Sequence, residues 1–445
     1  MRRTIMSIKK FALGIGVLVA AATLGACGNS GSSSSSNGKT EVTFWAAPNP
    51  TQVKYWKSMA ADFEKKNKNI DIKVTQMKES PSSEATIQSA IASGTQPTMS
   101  ENITRSFAAQ LAQSKAIVAL NKDSVTKSGL TGIVKARNMS KTMENWQFAN
   151  GSQYVVPFYS NPMLFGWRLD LLKELGINQV PKTYSDVMKV ADALKAKKSK
   201  SVVWALSTGA DPTAWQRWFD FFPLYDAASD GHTFVNGKKF AADAKAGKEV
   251  FSFVQELYKS GNLLTSKTTD PFETKLAVMN IIGSWTFPNW KEKYPDLKFG
   301  ENYTLTAPIV PDSMKNAKNI KTYADAKGIV IYAKATADQK KAAMKFMKFV
   351  FGNAKNDVQM LETTSLLPAR DDAATNAEFS KYFAANPFMK VYAENVPNGV
   401  PAMDNSNYND IQESLGKEGW IPALKGEKTP AKAWSDMVTG IKGSL

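Results

Sequence analysis

A single cysteine, Cys27, and a single histidine, His232, in a chain of 445 residues limit fold and chemistry more than any motif does. One thiol forms no intrachain disulfide, so the fold has to be held by buried apolar surface. One imidazole leaves no multi-histidine metal site and few partners for a Ser-His or Cys-His pair, so no metal or other cofactor is expected. The apolar surface is there: 43% of residues are hydrophobic and 11% aromatic against 22% charged, as in ordinary folded domains. At about 150 residues per domain the length predicts two or three cores. Carboxylate-only chemistry stays open, because 40 Asp and Glu can supply an acid and base pair.

The first forty residues address the chain. Arg2, Arg3, Lys9 and Lys10 precede an uncharged run from Phe11 to Ala26, which is shorter than the about 20 residues a membrane-spanning helix needs. Residues 1–26 are therefore a predicted signal peptide. They end at Leu24-Gly25-Ala26-Cys27, which resembles a bacterial lipobox; the resemblance implies that Cys27 is acylated and heads the mature chain, the alternative being an inert buried thiol. Residues 27–39, nearly all Ser, Gly and Asn, read as a flexible tether. The net charge of +16 falls to +12 after cleavage, and 49 of the 56 basic residues are Lys, spread along the chain. Arginine is the usual reader of phosphates and bases, so no nucleic-acid partner is expected. The charge is read as solubility with weak attraction to an anionic envelope. A tethered protein outside the cytoplasm is left with capture, adhesion or extracellular hydrolysis.

Hydrophobic periodicity sets the fold class. Val42 and Phe44 alternate with Thr43 as a strand; Asn49-Pro50 opens a helix with Trp56, Met59, Ala60 and Phe63 on one face; Ile70, Ile72 and Val74 alternate again. This is a β-α-β unit with parallel strands. Thr183-x-x-Asp186 and Thr336-x-x-Gln339 are capping-box starts, and Thr429-Pro430 opens a last helix. Strands alternating with such helices predict an α/β architecture. The run Gly231 to Phe240 misses phosphate-loop spacing by one and reads as a β-hairpin turning at Asn236-Gly237, with His232 a surface residue at its edge.

Four stretches carry a family resemblance. Gly151-Ser152-Gln153-Tyr154-Val155-Val156-Pro157 leads through Leu175-Gly176 to Pro181-Lys182-Thr183-Tyr184. Lys275 to Met279 leads to Gly283-Ser284-Trp285. Ala307-Pro308-Ile309-Val310-Pro311 and Ser365-Leu366-Leu367-Pro368-Ala369-Arg370 follow in order. In this order they resemble the family 1 extracellular solute-binding proteins, the sugar-capturing components of ABC importers, with Tyr184 for the common Trp and Ser365 for the common Gly. The resemblance implies two Rossmann-like lobes joined by a three-crossing hinge, as in type II periplasmic binding proteins, with the ligand in the cleft between them. The crossings are expected near Val156 to Tyr159, Thr306 to Val310 and Thr363 to Leu367. Lobe one is then 40–157 with 311–363, and lobe two 158–310 with 364–445. The implied partners are a carbohydrate and the permease subunits, and the protein is expected to be a monomer on the outer face of the cytoplasmic membrane.

Sugars present flat C–H faces and a rim of hydroxyls, so their sites need aromatic platforms beside carboxylates, amides or arginines. Trp285 matches the family's stacking position; a core Trp under the loop is the plainer reading. Trp45 and Asn49 flank the carboxyl end of the first strand, where open α/β sheets bind ligands; Trp45 divides between cleft and core, and Asn49 between ligand and helix cap. Pro97 to Asn102 stands where the family often has Pro-Asp-Val after a helix and then a polar pair reaching the ligand, so Glu101, Asn102 and Arg105 are hydroxyl partners or a solvated loop. Asp211, Trp215 and Trp218 lie in a stretch resembling the family's second-lobe cleft face, and that stripe could equally be core. Tyr159 and Asn161 follow the first crossing, Asp325 precedes an apolar strand, and Asp404, Asn407 and Tyr408 follow Val396 to Pro401. Arg370 either binds ligand or anchors the third crossing. Five arginines beyond the signal peptide make an anion of the glycerol phosphate type the alternative ligand. A glycoside hydrolase pairing Glu101 with Asp325 or Asp404 is the alternative activity.

Overall fold

The β-α-β opening is present in the computed structural model, which describes residues 38–80 and 82–445. The expected signal peptide and Cys27 lie outside the described residues. β1 (Thr40–Ala46) and β2 (Ile70–Gln76) run parallel in unbroken register from Thr40↔Ile70 to Ala46↔Gln76. Between them α1 (Pro50–Lys66) starts where the Asn49 side chain accepts the Thr51 N–H at 2.9 Å and Pro50 takes the first turn. Its buried face carries Tyr55, Trp56, Met59 and Phe63. Next come α2 (Ser83–Ser93), β3 (Met99–Ile103), which pairs parallel with β1, and α3 (Arg105–Gln113). β4 (Val156–Pro162) is buried along its whole length.

After β4 the chain enters a second sheet. β5 (Leu164–Arg168), β6 (Val202–Ala205), β9 (Leu263–Leu264), β10 (Ala277–Ile282) and β11 (Tyr303–Thr306) stand in the order β11-β5-β10-β6-β9. The hairpin at Asn236-Gly237 forms from β7 (Val235–Asn236) and β8 (Lys239–Phe240). His232 is exposed beside it, its ring 2.9 Å from the Ala241 carbonyl oxygen. The helix Tyr184–Ala196 opens on the capping box of Thr183 and Asp186. With the helices Ala244–Lys259 and Pro430–Gly443 it covers this sheet through a core that includes Trp204, Phe221, Phe251 and Trp420.

The chain returns through β12 (Thr322–Ile331), which pairs antiparallel with both β4 and β3 and, at its start, parallel with β13 (Gly399–Val400). The first sheet is thus β13-β12-β3-β1-β2, with β4 alongside β12. The helix Ala337–Phe351, capped by Thr336 and Gln339, packs Phe346 against Phe44 and Phe63 beneath it.

Three segments join the two halves: β4, β12 and the stretch at Leu367. Leu367 accepts the Ser160 N–H at 2.9 Å and donates its own N–H to Asn161 Oδ1 at 3.0 Å. Arg137, fully buried, ties the first and third together. Its guanidinium donates to the carbonyls of Pro157 and Phe158 at 2.6 and 2.8 Å and pairs with Asp357, which also holds Arg370 at 3.0 Å. Arg370 is therefore an anchor of the third crossing. The segment Thr306 to Val310, expected as the second crossing, instead stays with the second sheet: Thr306 pairs with Phe165 and Val310 bridges Thr183. Its apolar Ile309 and Val310 are core residues, and an apolar run reads alike from sequence whether it crosses or fills a core. The strand that crosses is β12.

Candidate ligand site

Strand direction decides where the site lies. β6 and β10 are parallel, with Trp204 opposite Met279, so their carboxyl ends leave the second sheet at one edge. The loops 206–220 and 283–287 start there, and so does antiparallel β5, whose Leu164 faces Ile282. In the first sheet the carboxyl ends of β1, β2 and β3 share an edge, and β4 and the front half of β12 run past it. Ligands of open α/β sheets bind outside carboxyl strand ends, and here the two sets of ends are joined by the crossing strands.

The second-lobe loops supply aromatic surface. Trp285 is 44% exposed, the one exposed large hydrophobic side chain among the described residues. Its indole lies so close over Gly283 that a Cβ there would approach it to 2.3 Å, so the glycine is needed for space. Phe219 meets Trp285 edge-on at 6.1 Å and Tyr323 at 6.4 Å. Trp218 stacks between Tyr323 at 5.6 Å and Tyr408 at 5.7 Å. The result is a continuous aromatic ribbon from Trp285 through Phe219, Tyr323 and Trp218 to Tyr408.

The crossing strands supply polar groups. Asn161 and Asp325 are register partners. Asn161 Nδ2 is buried with no hydrogen-bond partner among the described residues. Burial pushes the Asp325 carboxyl above its ordinary value, opposed by the Lys327 charge. Lys327 donates to Asn102 Oδ1 at 2.9 Å, and Asn102 holds φ at 67°, a left-handed conformation Asn tolerates. Tyr159 is buried beside them, its phenol held up by burial and by the charges of Asp325 and Glu101.

The remaining candidates are dispersed. Glu101 is fully buried and accepts from Ala47 N–H at 2.5 Å and Trp56 Nε1–H at 2.7 Å, so its oxygens serve the β1–α1 junction. Asn49 is exposed and caps α1. Trp45 packs with Met77 and Ile87 on the α2 side of the first sheet. Asp211 accepts the Thr213 N–H at 2.9 Å, an Asx turn within the aromatic loop. The side chain of Trp215 lies outside the described residues. Asp404 and Tyr408 reach across to the first lobe, accepting from Ala149 N–H at 2.6 Å and donating to Glu84 Oε1 at 2.9 Å respectively. Phe219, Tyr323 and Lys327 were not anticipated. For the last two the signal exists, since period-two alternation puts Tyr323, Asp325 and Lys327 on one face of a strand. Phe219 sits in a short 3-10 turn, Ala214–Phe219, and carries no periodic signal.

Two α/β halves joined by three segments, with an aromatic and polar surface at their shared edge, define a two-lobe binding protein. The chain belongs to the bacterial extracellular solute-binding proteins, whose family model matches residues 58–387. A crystal structure of an uncharacterised Listeria monocytogenes protein is 61% identical, with a TM-score of 0.89 and coverage of 91% of this chain and 99% of that one. The cyclic α-maltosyl-1,6-maltose binding protein of Arthrobacter globiformis is 17% identical, with a TM-score of 0.73 over 92% and 99% of the two chains. The maltose-binding periplasmic protein of Listeria monocytogenes, solved with maltose, is 18% identical with a TM-score of 0.67 over 91% and 97%. These last two likenesses establish the fold alone. Among curated proteins none is significantly similar. Family membership makes the chain a binding protein and not an enzyme. No described helix is long and apolar enough to cross a membrane.

Proposed function

We propose that this protein captures a carbohydrate, an oligosaccharide in the first instance, by closing two lobes around it and delivers it to the permease of an ABC importer. The ribbon from Trp285 to Tyr408 beside Asn161 and Asp325 carries the reading, because stacked sugar faces with paired hydroxyl contacts call for that combination. The structural likeness to receptors solved for maltose and a cyclic maltosyl-maltose supports it. The lobes divide into residues 40–157 with the chain from β12 to Thr364, and the remainder. A lipid on Cys27 and the tether after it would keep the monomer at the outer face of the cytoplasmic membrane.

The arginines favour a sugar over a glycerol phosphate. Arg137, Arg168, Arg217 and Arg370 each pair with an aspartate, and Arg105 donates to the Gln147 carbonyl oxygen. Four of these five guanidinium charges are thus already matched by a carboxylate, which leaves little positive charge for a phosphate dianion.

Calorimetry of residues 39–445 against maltose, longer malto-oligosaccharides, a cyclic tetrasaccharide and glycerol phosphate tests the proposal. A sugar should bind, and Trp285→Ala should weaken it roughly tenfold with little change in melting temperature, since the indole is exposed. Binding of glycerol phosphate alone would replace the sugar with an anion.

A further inference from the structure

Behind the ribbon lies a cavity of about 40 Å³, walled by Trp218, Phe222, Tyr323 and Met403, by Arg105 from the first lobe and Asp226 from the second, and at its outer edge by the exposed His232. Three of its polar atoms are buried without a hydrogen-bond partner: Arg105 Nε, Trp218 Nε1 and Asp226 Oδ2. Asp226 is only 4% exposed. Arg105 and Asp226 form no ion pair among the described residues; the carboxylate whose charge acts on Arg105 is Asp404, and burial alone holds the Asp226 carboxyl far above its ordinary value. The Ser106 hydroxyl, donating to the Met403 carbonyl at 2.7 Å, brings the two lobes together at its rim.

Such a site is costly. A buried carboxyl without a partner destabilises a fold by about 1–3 kcal/mol or more, and native proteins leave few such atoms unexplained. Two unpartnered N–H donors and one carboxyl on the wall of one small cavity match a single hydroxyl, which accepts from the donors and shares its proton with the carboxyl. A water needs about 10–15 Å³, so 40 Å³ admits a hydroxymethyl arm and excludes a sugar ring. Trp218 and Tyr323 belong to both cavity wall and ribbon, so an arm entering here leaves its ring against the aromatic surface.

We infer that this cavity is a specificity subsite for the exocyclic CH₂OH of a hexose unit, with Asp226, Arg105 and Trp218 Nε1 binding its 6-hydroxyl. The inference rests on the sugar-capture reading. It selects neutral hexose units with a free 6-hydroxyl over pentoses, which lack the arm, and over uronic acids, whose ionised carboxylate would have to shed its water in the same buried setting that holds the Asp226 carboxyl above its ordinary value.

The test is calorimetry of the full mature chain with maltotriose, xylotriose and trigalacturonate, together with the hexose oligosaccharides of the panel above, on the wild type, Asp226→Ala and Asp226→Asn. The hexose ligand should bind at least tenfold tighter than the pentose and the uronate. Asp226→Ala should weaken that ligand at least tenfold while raising the melting temperature of the unliganded protein, because it removes an uncompensated buried carboxyl. Asp226→Asn, which still accepts and donates, should retain most of the affinity. A packing residue would not give opposite signs in stability and binding. Unchanged hexose affinity in Asp226→Ala, or equal affinity for xylotriose and maltotriose, would show a cavity filled by water and overturn the inference. A wild type that binds no sugar would instead overturn the capture reading and this subsite with it.

Discussion

Glu101 stands midway along β3, two residues before the carboxyl end where an open α/β sheet offers groups to a ligand, and its side chain turns inward to the β1–α1 junction. Burial pushes its carboxyl up to about 7, against the opposing hydrogen bonds from Ala47, Trp56 and Gln52 and the charge of Lys327. The unfolded value is about 4.3, so between these values the folded state holds a proton that the unfolded state has lost. Its contribution to stability is complete below about pH 4.3 and falls as pH rises to about 7, beyond which it is flat. Relative to Glu101→Gln, the wild type should lose on the order of 3 kcal/mol of stability between pH 4.5 and 8. Urea unfolding of both proteins across that range measures it, and parallel curves would mean that Glu101 titrates as an ordinary carboxyl.

At the scale of elements, the joint between the lobes is a hydrogen-bonded mat rather than a loose linker. Asp357 receives both Arg137 and Arg370 with no exposure of its side chain, and Arg137 passes the restraint to the carbonyls of β4. Removing one member of a buried ionic group leaves its partners uncompensated, at about 3–5 kcal/mol. Asp357→Ala should lower the unfolding free energy extrapolated from urea titrations by that amount, and a change below about 1 kcal/mol would show that the two guanidinium groups find other acceptors. Little of this joint could be read in the sequence, because Arg137, Asp357 and Arg370 lie in three separate segments and meet only in the folded chain. The helix starts at Asn49, Thr183 and Thr336 were legible, since a cap is a local interaction within four residues. Trp285 was marked in the sequence by its resemblance to a family position, while the physical need for Gly283 beneath its indole shows only in the structure. Trp45 and Glu101 were ambiguous for a physical reason: along a strand, alternate residues face opposite layers, and one position decides between cleft and core.

For the whole molecule, the structure shows the two lobes in contact on one side of the cleft. Four bonds from residues 399–408 reach the first lobe: Gly399 O accepts from Asn145, Met403 O from Ser106, and Asp404 from Ala149, while the Tyr408 hydroxyl donates to Glu84. Three of them involve the backbone. The Glu84 to Tyr408 bond joins two side chains, and Glu84 on α2 takes no part in the aromatic ribbon, so it can be removed alone. A ligand favours closure only through contacts better made in the closed state, and a bond between lobes adds to that preference without touching the ligand. Glu84→Ala should therefore weaken sugar binding about 3–10-fold, the worth of one partly exposed hydrogen bond to a carboxylate. The loss should fall on the dissociation rate, because the bond forms after the sugar has met the ribbon. Stopped-flow tryptophan fluorescence, with Trp218 and Trp285 in the proposed site as reporters, separates the two rates. A slower association with unchanged dissociation would mean that the lobes must close before the sugar enters, and the 399–408 bonds would then belong to the free receptor rather than to capture.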